Sequence, residues 1–499
     1  MTAEQPGTAV AAVDLGATSG RVMLGLVGPG ADGADVRIRL LAAHRFENRL
    51  ARRDGHLSWD VDELWAQIRH GLTTADALAR EHGADGIAAI GVDSWAVDYG
   101  LLDPRGERIG EVIAYRDERT EGAATGVGEQ VDPARQYALT GIAQQGFNTL
   151  YQLAADDRLD GLPDGSTLLL VPDLVGFLLT GERRTERTNA STTGMLGADG
   201  HWAEELLTAA GVAPELLAPL IEPGERLGTV RPDLAADLGI GEVPVVAVGS
   251  HDTASAVLAV PAAQEPGDGP VAYISSGTWS LIGLELPSAV ATEAARTAGF
   301  TNEIGVDGTV RLLKNVSGMW LVTESIRQWE EDGAKVALTG LLEAAALMEP
   351  NRFRIDPTDP AFLAPGQMAD RVRAAATVLS GDDRSPSTPA QIVRCILESL
   401  AETYREELHT ACRLAGVPLP RRLHVVGGGS RNALLNQLTA DALDIEVVAG
   451  PMEATALGNV AVQARALGAV ADRPGAVRAA VRASTELEVF TPRQRQEGA

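Results

Sequence analysis

The sequence has few of the residues on which several common chemistries depend. Its 499 residues include two cysteines, Cys395 and Cys412, and two lysines, Lys314 and Lys335. Both cysteines fall within one predicted helix, too far apart along it to form a disulfide bond with each other. We therefore expect a reducing, cytoplasmic setting. Neither lysine stands in a P-loop or in a protein-kinase lysine motif, which excludes both of those classes.

Basic residues are also in deficit. The 42 lysines and arginines are outnumbered by 68 aspartates and glutamates, and the formal net charge is −26. This charge repels nucleic acids and anionic membranes over most of the surface, so we expect neither as a partner. No run is long and apolar enough to span a bilayer, and the first residues do not resemble a signal peptide. An anionic ligand must therefore be held locally, by backbone amides, helix termini or a metal ion.

Other standard motifs are absent as well. The eight histidines are not spaced as metal ligands, and no G-x-S-x-G nucleophile elbow occurs. The run Gly427-x-Gly429-x-x-Asn432 lacks the last glycine of the dinucleotide-binding fingerprint, so it supports NAD binding only weakly.

What the sequence does contain is an alternation of strand-like and helix-like segments, which is typical of an α/β protein. The Pro/Gly-rich run 261–270 is the clearest linker, and it divides an N-terminal domain, 1–260, from a C-terminal domain, 271–485. Hairpin-like strand pairs open both domains and suggest a weak structural duplication. The predicted strands are 10–13, 22–27, 36–44, 87–92, 243–248, 271–275, 279–286, 309–313, 423–426 and 445–448, and the predicted helices include 59–79, 390–414 and one from about Glu453.

The stretch Pro244–Ala256 places a carboxylate just after a buried strand. An apolar run ends at Gly249, the polar tetrad 250–253 follows, and small helix-forming residues come next. In open α/β sheets, ligands bind at this edge. Asp252 would lie beside the positive end of a helix dipole, which favours the ionised form and suits a general base. The alternative is an ordinary helix N-cap, a position where Asp and Ser are common.

Two glycine-rich turns, one in each half, have compositions suited to phosphate. Asp14–Arg21 offers backbone amides, two hydroxyls and an arginine, and its alternative interpretation is a plain hairpin turn. Gly427–Gly429 lets the backbone approach a flat ligand, and its alternative is a tight turn required for packing. Ser275–Thr278 is a further hydroxyl-and-glycine loop. Together with an aspartate placed as a general base, these loops indicate an ATP-dependent phosphotransferase that does not use a P-loop.

At this point the chain resembles the FGGY carbohydrate kinases, which have the actin/Hsp70/sugar-kinase fold. The resemblance extends from about Ala11 to Leu467, and the order and spacing of its motifs are highly specific. Within the family, SHDTASA is most similar to the kinases that act on L-rhamnulose. The motifs are AVDLGATSGRVML, GVDSWAVDYGLLD, AYRDERT, FNTLYQL, SHDTASAV, SSGTWSL, LLKNVSGMW, VVGGGSRNALLNQL and GPMEATALGN.

The resemblance implies two RNase H-like α/β domains around a central cleft, with sugar mainly on the N-terminal domain and Mg-ATP mainly on the C-terminal one. It implies Asp252 as general base and Asp14 beside the metal ion, Mg²⁺. The implied sugar contacts are Ala96, His251, Asp252, Thr253 and Asn315, and the implied nucleotide contacts are Ala17, Thr18, Ser19, Gly20, Arg21, Thr278, Thr323 and Gly428.

Two positions depart from the family pattern. Ala96 stands where the family often has glycine, which affects the shape of the sugar pocket. Thr323 stands where a nucleotide-contacting glutamine is expected, which affects one ATP contact. Neither position touches the phosphoryl-transfer chemistry itself.

Two groups near these motifs have alternative interpretations. Trp95 and Asp98 would suit a deoxy-sugar with one apolar methyl edge, or they are a buried tryptophan and a turn aspartate. Arg116, Asp117 and Arg119 would contact sugar hydroxyls, or they pair with one another at the surface.

The expected reaction is in-line transfer of the γ-phosphoryl group of ATP to the primary O1 of a ketose, L-rhamnulose, by a monomer or small homo-oligomer. The nearer alternative is a family member acting on another ketose, such as L-fuculose or L-xylulose. The other is a non-catalytic, actin-like ATP-binding sensor, which would need neither Asp252 nor the sugar-side motifs.

Overall fold

The computed structural model describes residues 7–30, 35–263, 269–277, 279–380 and 385–493. The chain divides into two compact units, each built from several segments. The first unit consists of Met1–Ala263, Leu286–Leu312 and Glu453–Thr485, and the second of Gln264–Glu285, Leu313–Met452 and Glu486–Ala499.

Strands and helices alternate along most of the described chain. The strands are β1 (Thr8–Leu15), β2 (Ser19–Pro29), β3 (Val36–Glu47), β4 (Leu50–Arg53), β5 (His56–Trp59), β6 (Ile90–Ser94), β7 (Tyr99–Leu102), β8 (Val112–Ile113), β9 (Thr167–Leu170), β10 (Thr185–Glu186), β11 (Leu220–Ile221), β12 (Arg226–Thr229), β13 (Pro244–Val246), β14 (Val271–Ser276), β15 (Ser280–Leu286), β16 (Thr301–Ile304), β17 (Val310–Val316), β18 (Arg422–Val426), β19 (Glu446–Ala449) and β20 (Glu488–Phe490).

The helices vary from single turns to one of more than seven turns. They are α1 (Val61–Glu81), α2 (Ala123–Gln130), α3 (Pro133–Thr140), α4 (Thr149–Ala154), α5 (Val171–Thr180), α6 (Arg187–Ala190), α7 (Glu204–Ala209), α8 (Pro232–Leu238), α9 (Asp252–Leu258), α10 (Glu293–Thr297), α11 (Trp320–Glu331), α12 (Leu338–Ala346), α13 (Met368–Ser380), α14 (Pro389–Ala415), α15 (Ala433–Leu443), α16 (Ala454–Ala466) and α17 (Ala476–Ser484).

The main sheet of the first unit has the strand order β12-β13-β6-β1-β2-β3. β1, β2 and β3 form an antiparallel meander, whereas β6 runs parallel to β1 and β13 runs parallel to β6. The apolar side chains of β1 are fully buried because α1 and α16 cover the sheet. The predicted α/β class is confirmed, and the carboxyl ends of three parallel strands lie side by side.

The sheet of the second unit repeats this arrangement. Its strands lie in the order β17-β15-β14-β18-β19-β20. β14 and β15 form an antiparallel hairpin, and β18 and β19 run parallel to β14 and to each other. The prediction that a hairpin opens both halves is therefore confirmed.

The two longest helices have capped ends, and the first of them corrects a predicted boundary. The helix predicted from Trp59 begins at Val61, because Trp59 ends β5 and the side chain of Asp60 caps the helix by accepting from the Glu63 N–H at 3.1 Å. The last residue of α14 is Ala415, and Gly416 follows as its C-cap with φ 67°.

The long helix α14 carries both cysteines. Cys395 and Cys412 are buried and free, as predicted. Burial raises the pKa of the Cys395 thiol to about 12 and that of Cys412 to about 11, so both remain protonated and unreactive. Within the described ranges, none of the helices combines the length and apolarity that crossing a membrane requires.

Helices α9 and α16 pack against each other in the first unit, and one glycine permits their close approach. A Cβ atom on Gly458 would lie 1.9 Å from the carbonyl oxygen of Ser255, which is backbone and cannot rotate away. Ser255 is itself held by a hydrogen bond of 2.7 Å from its hydroxyl to the carbonyl of Gly249. The contact therefore sets the distance of α9, and of the loop before it, from α16.

We expect Gly458→Ala to lower the free energy of unfolding by about 2 kcal/mol or more, because the new methyl group forces the two helices apart. Urea unfolding of the purified protein measures this. The matched control is Gly126→Ala in α2, where the space around the glycine is open; there alanine should raise stability by about 0.5–1 kcal/mol. Equal effects of the two substitutions would contradict the role assigned to Gly458.

Candidate active site

Three neighbouring strands of the first unit end in acidic or polar residues at one edge of the sheet. Asp14 of β1 pairs in register with Asp93 of β6. Ser94 then forms a parallel bridge with His251, and its N–H donates to the carbonyl of Ser250 at 2.9 Å. Asp252 follows as the first residue of α9. The predicted carboxylate at a strand end and helix start is thus confirmed in position.

Asp14 is buried and held by an arginine. Nε and Nη2 of Arg21 donate to Oδ2 of Asp14 at 2.8 and 2.6 Å, and Nη1 donates to Glu453, which also accepts from Arg45 at 2.7 Å. Burial raises the pKa of Asp14 although the charge of Arg21 opposes the shift. The same arginine thus pairs with two carboxylates, one on β1 and one at the N-cap of α16.

Asp93 was not predicted as a site residue, yet it is the most completely buried carboxyl of the cluster. Asn459 donates to its Oδ2 at 2.6 Å, while Oδ1 is buried without a hydrogen-bond partner among the described residues. Burial, and then the neighbouring Asp14, raise its pKa well above the usual value. The signal in the sequence was an aspartate directly after each of two apolar runs.

The chemistry of this edge fits a magnesium ion. Mg²⁺ prefers hard oxygen ligands and is usually held through one or two carboxylates together with waters and substrate phosphates, without a closed protein cage. Asp14 and Asp93 supply two such carboxylates, and Oδ1 of Asp93 is buried without a hydrogen-bond partner among the described residues, which leaves its lone pairs unused. No cluster of three or more metal-binding side chains exists within the ranges that the structure describes. The residues therefore fit Mg²⁺ as a companion of a phosphate.

Asp252 is differently placed, because its side chain is about one-third exposed. The hydroxyl of Thr253 donates to its Oδ1 at 3.0 Å, and Nε2 of His251 lies 3.4 Å from the same oxygen. The N-cap residue of α9 is His251, so Asp252 does not serve as the cap that the alternative interpretation assumed. Its second oxygen, Oδ2, makes no hydrogen bond within the described part of the chain.

A buried glutamate, which the sequence did not single out, anchors the loop that carries Asp252. Glu186 accepts from the N–H and hydroxyl of Ser250 at 3.0 and 2.7 Å, and also from the N–H and hydroxyl of Thr188 at 2.8 and 2.6 Å. Burial raises the pKa of Glu186, while these hydrogen bonds oppose the shift. The donors stabilise the ionised form, so the carboxylate ties the loop to the start of α6.

The predicted phosphate loop is a hairpin turn with exposed hydroxyls. The N–H of Gly16 donates to the carbonyl of Ser19 at 2.8 Å, which closes the turn between β1 and β2. Thr18 and Ser19 are exposed, Ala17 is partly exposed, and the next residue, Gly20, packs against an aromatic ring. The turn is thus a hairpin, as the alternative held, and its hydroxyls and amides remain accessible to a ligand.

Ala96 precedes a strained backbone position. Val97 adopts φ 71°, a conformation that β-branched residues rarely take. Its carbonyl accepts from the hydroxyl of Thr149 at 2.7 Å and from Nε2 of Gln152 at 3.2 Å. Ala96 itself is partly exposed. The strain is held by these hydrogen bonds and fixes the direction of the segment on which Ala96 lies.

Asp98 and Trp95 belong to a buried hydrogen-bond network. Nε1 of Trp59 and of Trp95 donate to Oδ2 of Asp98 at 2.6 and 2.9 Å, Gln152 donates to Oδ1 at 3.0 Å, and the N–H of Tyr115 donates as well. Burial raises the pKa of Asp98 to about 6 despite these donors. The buried interpretation of this pair is the one that the geometry supports.

The cluster Arg116, Asp117 and Arg119 separates into one exposed and two internal side chains. Arg116 is exposed, and its Nε donates to the hydroxyl of Tyr115 at 3.0 Å. Asp117 accepts from the N–H of Leu57 at 2.7 Å, and the nearly buried Arg119 lies 3.8 Å from Asp156. Their side chains do not pair with one another as the alternative proposed, although the backbone N–H of Arg119 donates to Oδ1 of Asp117 at 3.1 Å; Arg116 is the exposed side chain of the three. 

In the second unit, the three glycines have different roles. A Cβ on Gly427 would lie 2.7 Å from the carbonyl oxygen of Ser276, and one on Gly429 would lie 1.9 Å from the hydroxyl oxygen of Ser276. Gly428 is exposed with open space around it. Packing therefore requires the outer two glycines, and the middle one remains accessible to a ligand.

Asn315 on β17 and Thr323 on α11 are both exposed side chains of the second unit. Thr278 lies outside the described residues. The first unit thus contains Asp14, the hairpin loop, Ala96 and the His251–Thr253 segment, whereas Asn315, Thr323 and Gly428 belong to the second unit.

Comparison with known proteins identifies the family of this chain. The FGGY family of carbohydrate kinases matches residues 9–259 with its N-terminal domain and 272–467 with its C-terminal domain. Rhamnulokinases from Bacteroides thetaiotaomicron and Bacillus subtilis are 40% and 39% identical over 484 and 483 residues, which cover 96% and 97% of this chain and 95% of each relative.

Solved structures of sugar and glycerol kinases have a similar fold. A xylulose kinase from Lactobacillus acidophilus and a glycerol kinase from Plasmodium falciparum superpose with TM-scores of 0.76 and 0.75, covering 97% of this chain and 94% of each of theirs. At 16% identity these two concern the fold alone.

The two domains that the family models match define a carbohydrate kinase. The chain belongs to the FGGY family of carbohydrate kinases, and within it to the group of the rhamnulokinases. The predicted family is therefore confirmed, and ATP and a sugar are the substrates that the family implies.

Asp98 links the stability of the fold to pH. Because its pKa is about 6 in the folded chain and 3.8 ordinarily, the folded state binds more protons between these values, and stability falls as the pH rises. We expect the free energy of unfolding of the wild type, relative to that of Asp98→Asn, to fall by about 1 kcal/mol from about pH 5 to about pH 7. Urea unfolding across this range measures the difference.

The control for removing one negative charge is Asp233→Asn, at an exposed position in the first turn of α8. If the difference in free energy of unfolding between the wild type and Asp98→Asn stays constant or increases with pH, Asp98 is not the group that makes stability depend on pH.

Proposed function

We propose that this protein phosphorylates L-rhamnulose at O1 with ATP, and that Asp252 is the general base of the transfer. The observation that carries the proposal is the Asp252 carboxylate at the helix start: its Oδ1 accepts from Thr253 and lies 3.4 Å from Nε2 of His251, while Oδ2 is left to accept a proton. The identity of about 40% to rhamnulokinases over nearly the whole chain supports the choice of sugar.

The chemistry required of the base is modest. Phosphoryl transfer depends mainly on positioning and on compensation of the negative charge of the transferred group. Oδ2 of Asp252 accepts the proton of the sugar O1 hydroxyl as that oxygen attacks the γ-phosphorus. The partly exposed position of Asp252 lets a sugar reach it, whereas Asp14 and Asp93 are buried.

Charge compensation is assigned to the hairpin loop and the carboxylates beside it. The amides and hydroxyls of Thr18 and Ser19 are accessible for phosphate oxygens. Asp14 and Asp93 are the residues that would hold Mg²⁺, which when bound neutralises negative charge on the phosphates. Arg21 keeps Asp14 paired and oriented through two hydrogen bonds.

On the sugar side we assign His251, Thr253, Ala96 and Asn315, and on the nucleotide side Gly428 and Thr323 together with Thr278. Gly428 suits this role because it is the one member of its glycine run with open space around it. The residues of the first unit are proposed to serve mainly the sugar and those of the second unit mainly the nucleotide.

We expect Asp252→Asn to lower kcat by roughly 100-fold or more, because the amide cannot accept the O1 proton. A coupled assay of ADP release measures turnover, and a nucleotide-induced shift of the unfolding temperature reports whether ATP still binds. Asp233→Asn, also an aspartate in the first turn of a helix of the first unit, should keep wild-type turnover. A folded Asp252→Asn variant with most of its activity would exclude Asp252 as the base.

The sugar assignment is tested separately with a panel of ketoses. L-rhamnulose should give a kcat/KM at least about tenfold above those of L-fuculose and L-xylulose, since a difference of this size corresponds to about 1.4 kcal/mol in transition-state binding. A higher kcat/KM for another ketose would identify that ketose as the substrate. Absence of single-turnover phosphate transfer to every sugar would favour the ATP-binding sensor.

A further inference from the structure

A chain of polar side chains leads from Asp252 into the interior of the first unit. His251 is nearly buried, with Nε2 facing Oδ1 of Asp252 at 3.4 Å. On its other side, Nδ1 lies 3.2 Å from Oε2 of Glu303 and 3.3 Å from Nη2 of Arg311. Glu303 is on β16 and Arg311 on β17, in the segment Leu286–Leu312 of the same unit. None of the sequence motifs pointed to this pair.

Arg311 is the most unusual member, because its side chain is completely buried. Nη1 lies 3.1 Å from Oε2 of Glu303, and Nη2 also donates to the carbonyl of Ile304 at 3.1 Å. Nε and Nη1 of Arg311 make no hydrogen bond within the described residues. Oε2 of Glu303 lies close enough to Nη1 to form an ion pair, but the two groups are not aligned for a hydrogen bond. A buried arginine with unused donors costs stability, so a purely structural role accounts poorly for it.

The contacts at Nδ1 fix the direction of the His251 ring. Nδ1 lies between Oε2 of Glu303, which can only accept when ionised, and Nη2 of Arg311, which can only donate. Nε2 then faces the Asp252 carboxylate. Glu303 compensates the charge of Arg311, and its ionised form is favoured: burial raises its pKa, but Arg311 and His251 outweigh burial and the pKa lies below the usual value.

We infer that Arg311 and Glu303 are positioning residues of the transfer site, which hold the His251 ring so that Nε2 faces Oδ1 of Asp252. This inference rests on the proposed role of Asp252 as the base. Because Oδ1 accepts from the hydroxyl of Thr253 and faces Nε2 of His251 at 3.4 Å, Oδ2 is the oxygen left for the substrate hydroxyl. Other active sites use the same principle, in which a neighbouring residue orients the side chain that contacts the catalytic group.

The decisive variant is the double substitution Glu303→Gln/Arg311→Met, which removes the ion pair without leaving either charge unpaired. We expect kcat to fall roughly 10- to 100-fold, with KM for sugar and for ATP changed by less than about threefold, since orientation of the base matters in the transition state. The unfolding temperature should stay close to that of the wild type. The matched control is Glu293→Gln/Arg296→Met, an exposed pair on α10 joined at 2.6 Å, which should leave kcat unchanged.

A double-mutant cycle separates positioning from a general structural role. In a His251→Ala background, adding Glu303→Gln/Arg311→Met should change kcat by less than about twofold, because the pair acts through the missing ring. An equal loss in both backgrounds would overturn the inference, as would a double variant that keeps wild-type kcat. If Asp252→Asn is inactive while the double variant is fully active, the base assignment stands and only this inference fails.

Discussion

The constraint on which the first unit depends is repulsion among carboxylates gathered at one edge of a sheet. Asp14 and Asp93 end adjacent strands in register, and their electrostatic neighbour Asp252 follows at the next strand end. Each needs a partner, because burial without one is costly. Arg21 pairs with the first and Asn459 with the second, whereas the third keeps partial contact with water. This division separates two carboxylates suited to a metal ion from one suited to a proton.

The position of Asp252 is determined from three directions. Glu186 holds the loop through Ser250, Gly458 sets the spacing of α9 from α16, and the Glu303–Arg311 pair is inferred to set the ring of His251. These supports come from parts of the chain that are distant in sequence, and all belong to the first unit. The proposed base gains from such support because phosphoryl transfer is governed largely by geometry.

Alternative interpretations that the sequence left open were resolved position by position. Asp252 is not a cap, since His251 occupies that position. Asp98 proved to be a buried acceptor of several N–H groups. The run Gly427–Gly429 proved to combine both interpretations, because its outer glycines pack against a serine and its middle one is exposed. For Asp98 and for the glycine run the deciding quantity was the distance to a residue far away in the chain, and for Asp252 it was the residue at which α9 begins.

By itself, the sequence determined the α/β class, the hairpin opening each half, the strand end that carries Asp252 and the membership of a kinase family, because periodicity, glycine turns and ordered motifs are local signals. Only the tertiary structure decided that Asp93 joins Asp14, that Glu186 anchors the loop and that Arg311 reaches His251. These pairings arise from strand register and from contacts between distant segments. A buried charged residue has no mark in the sequence that distinguishes it from a solvated one.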